Sequence, residues 1–243
     1  MQNDAAEVVW RPRTTWEGCD LGIRVLQSWL RPVFICHLTV AIPLFCIFAA
    51  AGAAISWLPI LLIWLAKPWL DRTILFALSR ALFGRPTSPR DVWRGRADVW
   101  RHQLAATLTL RRLTASRSFT QPIIQLEGLH GPELRARIRR LIARHRGVAR
   151  AATQVFGVAE FALFTSMFFM QVWLAPHTDA EPWSDLQSMW LPGRAWVSTI
   201  EYAAIVCFLE PFYVAAGFGM YLNRRVELEA WDIEQEFRRA FAR

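Results

Sequence analysis

Six ionisable residues stand inside apolar stretches of this 243-residue chain: Lys67, Asp71, Arg72, Glu160, Glu201 and Glu210. Hydrocarbon solvates a charge poorly. An ionised side chain at the centre of a membrane span costs about 2.5–3.5 kcal/mol on insertion scales. Groups of this kind therefore pair with one another, or they carry protons or ions. Lys67 is the only lysine in the chain; the other 27 basic residues are arginines. Counting ~1.5 Å of helix rise per residue from the basic ends of their segments puts Glu160 about 13 Å deep, Glu210 about 18 Å and Lys67 about 21 Å. Lys67 is thus expected to pair with Glu210, or otherwise with Glu160. Glu201, five residues after Trp196, falls nearer the opposite interface. Pro211 follows Glu210 directly and cannot donate to the carbonyl one turn back, near Cys207. The expected kink there can line an ion site or be no more than a bend. Two chemistries fit the six charges. One is a buried salt bridge that fixes helix register; the other is a proton or ion pathway through Glu160, Glu201 and Glu210.

Other chemistry finds no support in the sequence. GxSxG, HExxH, GxGxxG and P-loop patterns are absent. The histidines at 37, 102, 130, 145 and 177 have no ligand spacing, and His37 is expected to be a satisfied polar group. Cys19, Cys36, Cys46 and Cys207 include no CxxC pair and are expected as unpaired, inert thiols. No cofactor, metal or catalytic residue is expected, and an enzyme is the least favoured class.

The elements that must position these charges are apolar helices. Trp196 to Leu222 is a 27-residue apolar run that turns polar at Asn223-Arg224-Arg225. At ~1.5 Å per residue it exceeds the roughly 30 Å of a bilayer core. From Pro32 to Ala66 no residue is charged, which suits one span and the start of another. The expected architecture is all-α and polytopic, with four transmembrane helices near Val33–Ala53, Leu58–Ala77, Ala151–Leu174 and Trp196–Leu222. Residues 1–31 form an N-terminal juxtamembrane helix, 32–83 hold spans 1 and 2, and 84–150 are a basic helical insertion. Residues 151–223 hold spans 3 and 4, and 224–243 form a C-terminal helix.

Thr14 caps the first helix, with Glu17 three residues on. Trp16, Leu21, Val25 and Trp29 make an apolar face for the membrane surface, or for packing on a folded domain. In the insertion, Ser88-Pro89-Arg90-Asp91 starts a helix expected to reach about Leu113. Ser116 to Gly131 reads as a loop with apolar anchors Phe119, Ile123, Ile124 and Leu126. Gly131-Pro132-Glu133 opens another helix, with Leu134, Ile138, Leu141 and Ile142 on one face.

Charge sets the expected orientation. Residues 84–150 hold fifteen arginines against four acids, a net of +11, while Pro176–Gly193 holds Asp179, Glu181 and Asp185. Trp173, Trp183, Trp190 and Trp196 flank that acidic connection as an aromatic belt. Basic loops stay cytoplasmic, so the insertion and both termini are expected inside a bacterial inner membrane. The insertion's expected partner is anionic lipid headgroups, at ~1 kcal/mol per basic residue near the surface, and not nucleic acid.

Three stretches carry a family resemblance: LSRALFG (Leu78–Gly84), RRLTASRSFTQPIIQLEGL (Arg111–Leu129) and EPFYVAAGFGMYLNRRVELEAWDIE (Glu210–Glu234). Together they resemble the membrane portion of an uncharacterised bacterial family. Its members are often encoded beside MoxR-type AAA+ ATPases, and many continue into a C-terminal domain of unknown function. The family has no established catalytic residues. The resemblance implies an inner-membrane accessory protein with AAA+ ATPase or envelope-protein partners.

Overall fold

The computed structural model describes residues 13–52, 55–100, 116–143, 145–174 and 192–229, and among them every regular element is a helix. They are α1 (Thr15–Ser28), α2 (Leu30–Ala51), α3 (Leu58–Leu82), α4 (Pro89–Arg94), α5 (Arg96–Trp100), α6 (Arg117–Leu126), α7 (Gly131–Ile142), α8 (Arg146–Leu174) and α9 (Pro192–Glu229). Three stretches are long and apolar enough to cross a membrane: Leu30–Ala51, Arg146–Gln171 and Trp196–Glu229. They correspond to expected spans 1, 3 and 4, with the start of span 3 moved out to Arg146 and the end of span 4 to Glu229. The 25-residue α3, expected as the remaining span, is long enough but carries Lys67, Asp71, Arg72 and Arg80.

Burial along α2 shows why these helices suit a membrane. Val33, Cys36, His37, Val40, Ala41 and Phe45 repeat at helical spacing and face the protein. The opposite face is just as apolar yet exposed, with Ile35, Ile42 and Ile47 bare. A surface helix in water would put charge there. α3 is arranged the same way, with Lys67, Asp71 and Arg72 inward and Trp64 and Leu65 outward. α8 lies on the outside of the bundle and exposes Val155, Val158, Phe161 and Trp173.

α9 is the central helix and touches α1, α2, α3, α6, α7 and α8. Small residues let its neighbours approach. A Cβ on Gly22 of α1 would lie 1.9 Å from the Ala215 carbonyl oxygen, and one on Gly219 would lie 2.1 Å from the Gly18 oxygen. Gly18 and Gly22 are thus a small-xxx-small pair fitted against Ala215 and Gly219. On another face of α9, a Cβ on Gly217 would meet Ser118 of α6 at 2.3 Å. Pro211 sits within α9 without interrupting it. Its missing amide leaves the Cys207 carbonyl without its usual helical donor.

Several expectations need correction. The Thr14–Glu17 capping box is present, but the face that α1 packs on α9 is centred on Gly18 and Gly22 and shares only Val25 with the expected apolar face. The buried residues of α1 are Gly18, Cys19, Gly22, Val25 and Leu26, and Trp16 is exposed. Residues 117–126, expected as a loop, are the helix α6 despite Pro122, because burying Phe119, Ile123 and Ile124 outweighs the lost hydrogen bond. Leu126 is no anchor, being exposed. The helix expected from Pro89 to Leu113 breaks at Gly95, and its part after Trp100 lies outside the described residues. α5 is held to α3 by Trp100, which stacks on Trp69 at 4.8 Å and donates to Thr73 at 3.3 Å. On α7, Leu134, Leu141 and Ile142 are buried in the protein itself. Trp183, Trp190 and the acidic connection also lie outside the described residues, as does the tail after Glu229.

One end of the bundle gathers several helix termini. The Arg13 amide donates to Asn223 Oδ1 at 3.0 Å, and Asn223 Nδ2 donates to the Arg13 carbonyl at 2.7 Å. Thr15 Oγ1 lies 2.5 Å from His145 Nδ1. Arg137 of α7 bridges Glu127 and Glu229. The beginnings of α1 and α8 and the end of α9 therefore share one level.

Candidate functional site: a buried ion cluster

Four helices bring five charges together. Lys67 and Asp71 are one turn apart on α3, so they share a face. α8 supplies Glu160, α9 supplies Glu210, and the first residue of α6 supplies Arg117. The Lys67 ammonium lies 2.5 Å from Glu160 Oε2 and 2.9 Å from Glu210 Oε2. Arg117 Nη2 lies 2.5 Å from Glu210 Oε1 and 3.2 Å from Asp71 Oδ2. Glu210 therefore receives a cation on each oxygen, and Lys67 and Arg117 each bridge two acids. Asp71 is wholly buried and Glu210 nearly so, while Glu160 is the most accessible carboxylate.

Neutral groups complete the shell. Tyr202 OH donates to Glu160 Oε1 at 2.7 Å. The Arg117 guanidinium lies over the Tyr213 ring, 5.1 Å from its centroid. Tyr213 OH accepts from the Ser118 amide at 3.1 Å and sits 3.4 Å from Thr153 Oγ1. Turned so that its NH2 faces α3, the Gln121 amide donates to Asp71 Oδ2 at 3.2 Å. A cleft of about 130 Å³ reaches the cluster past Thr153, Gly157 and Glu160, with Lys67, Arg117 and Glu210 at its base. At ~30 Å³ per molecule it has room for a few waters.

Three carboxylates face two cations, so the fully ionised cluster carries one net negative charge. Asp71 Oδ1 and Arg117 Nε are buried without a hydrogen-bond partner. The arrangement can do two things: hold four helices in register through mutual pairing, or accept one proton near the cleft.

Of the residues singled out in the sequence, the structure gathers Lys67, Asp71, Glu160 and Glu210. Arg72 points elsewhere; it is buried and reaches the Val99 carbonyl at 3.4 Å. Glu201 is bonded to Gln171 of α8, about 13 Å along α9 from Glu210 at ~1.5 Å per residue. His37, expected to be satisfied, is fully buried and has no partner on either ring nitrogen. Arg117, Tyr202, Tyr213 and Gln121 are the residues that sequence reasoning missed. The available signal was arithmetic, because one lysine cannot balance several deeply placed acids.

Among the described residues no group of three His, Cys, Asp or Glu side chains could hold a metal, and the four cysteines are free thiols. Fold and site together define an all-helical protein with candidate membrane spans around a buried ion cluster. No family model, curated protein or solved structure matches the chain.

Proposed function

We propose that this is a four-crossing integral membrane protein of the bacterial inner membrane, acting as a non-catalytic scaffold or accessory subunit of an envelope-associated complex. The fourth crossing is α3. The end of α3 lies beside the Phe218–Arg225 part of α9, at the end of the bundle where α8 begins at His145. One turn or more back along the same two helices Lys67 meets Glu210, so α3 runs along α9 through the bundle toward this end. Burial of Lys67, Asp71 and Arg72 inside the protein removes the objection to such a crossing. The basic insertion supports a cytoplasmic placement for this end and for both termini.

The observation that carries the scaffold reading is that every member of the cluster is paired with another member. None is held out toward a ligand, and the pairs tie α3, α6, α8 and α9 together. The kind of partner, an AAA+ ATPase or an envelope protein, comes from the family resemblance alone. Copurification from native membranes tests this: a stoichiometric partner supports the subunit reading, and recovery of a lone homomer overturns it.

The cleft favours a second reading, a proton-coupled component that uses Glu160 and Glu210. A cluster with one uncompensated negative charge beside a cleft with room for a few waters is suited to exchanging a proton. Proteoliposomes separate the two. A proton flux present with the native protein and lost in Glu160→Gln would establish the second reading.

A further inference from the structure

A groove of about 700 Å³ opens at the polar end of the bundle, between the last turn of α3, the end of α6 and the Phe218–Arg225 part of α9. Arg80, Arg85 and Arg225 line it, and no acidic residue does. Arg225 is already balanced by Glu229, at 2.6 Å. Arg80 and Arg85 form no ion pair among the described residues, and Arg80 Nε is buried without an acceptor. Beside these charges the walls are apolar, and Phe83 and Leu126 stand exposed at 73% and 40%. Arg225 is two residues past Asn223, where the apolar run of α9 ends. The groove therefore sits at the level of the membrane surface, an inference that rests on the membrane placement proposed above.

We propose that this groove binds one anionic phospholipid. Its phosphate lies between the guanidinium groups of Arg80, held over the Phe76 ring at 5.5 Å, and Arg85. Its acyl chain runs along Phe83, Leu126 and Leu222. The groove's size is in the range of small-molecule sites. A free inorganic anion would use the guanidinium groups but leave the apolar walls wet, so an amphiphile is the occupant that satisfies both halves. The site is distinct from the ion cluster and from the general basic charge of residues 84–150.

The full chain in mild detergent provides the test, with melting midpoints measured against added phosphatidylglycerol, phosphatidylcholine or inorganic phosphate. Phosphatidylglycerol is expected to raise the midpoint; phosphatidylcholine and phosphate are not. Arg80→Gln with Arg85→Gln should weaken the apparent phosphatidylglycerol affinity about tenfold or more. The same charge change at Arg135 and Arg139, exposed on α7, should leave it unchanged. If the Arg80 variant does not fold, Arg85→Gln alone carries the test, since Arg85 is exposed and lies past the end of α3. Equal shifts from the two lipids, a phosphate shift as large as the lipid's, or equal losses from the α3-end and α7 variants would each overturn the site. Membrane placement is read separately by resistance to alkaline extraction, so its failure cannot be mistaken for failure of the groove.

Discussion

Replacing Lys67 with methionine should destabilise the protein more than replacing the acid beside it. Lys67 is the sole cation on Glu160, whose only other partner in the cluster is the Tyr202 hydroxyl. Glu210 keeps Arg117 at 2.5 Å when the lysine is lost. Lys67→Met therefore strands Glu160 and takes the cluster from one net negative charge to two. Removing one partner of a buried pair costs about 3–5 kcal/mol. Glu160→Gln makes the cluster neutral, leaves Lys67 with Glu210 and keeps an acceptor for Tyr202, so its cost is expected near that of one charged hydrogen bond, about 1.5–3 kcal/mol. The double variant restores the native net charge with no stranded acid, so it should fall short of the additive sum by about 2 kcal/mol. The assay is a double-mutant cycle on unfolding in detergent. Additivity within about 0.5 kcal/mol would refute the pairing argument.

Glycine packing gives a second prediction. Gly22→Ala drives a Cβ into the Ala215 carbonyl and should cost about 1–3 kcal/mol as an overpacked contact. Gly147→Ala, in open space on α8, should be neutral or stabilising by up to about 1 kcal/mol, both read by thermal melting. Burial pushes the Cys19 thiol up to about 11, so maleimide at pH 8 should modify it only when α1 lifts from α9, and faster in Gly22→Ala. Asp91 is held below the usual carboxylate range by the Ser88 amide and hydroxyl at the start of α4. Its contribution is complete above the unfolded value near about 4 and is lost as pH falls further. Asp91→Asn should therefore flatten that part of the acid limb of stability.

Parts of this site were legible because helix rise converts sequence position to depth. Lys67, Glu160 and Glu210 could be placed at similar levels before any packing was known. Which of Asp71 and Arg72 joins them could not, since neighbours on a helix point about 100° apart and the partner face is a tertiary fact. Arg117 was hidden among fifteen arginines of like appearance, in a segment whose proline and β-branched residues read as a loop. Only the burial of Phe119, Ile123 and Ile124 makes that segment a helix and carries its first residue to Glu210. The α1–α9 contact was written in Gly18-x-x-x-Gly22, but its partners Ala215 and Gly219 are almost 200 positions away. The capping boxes at Thr14 and Ser88, being local, could be read directly.

The proposed crossing of the membrane by α3 turns Lys67, Asp71 and Arg72 inward. It is tested most directly by labelling intact cells with a membrane-impermeant thiol reagent. The two probes are Ser56→Cys, between α2 and α3, and His130→Cys, before α7, in a chain whose four native cysteines are replaced. Ser56→Cys is expected to be labelled from outside and His130→Cys only after the cells are opened. Labelling of both positions from the same side would contradict the crossing.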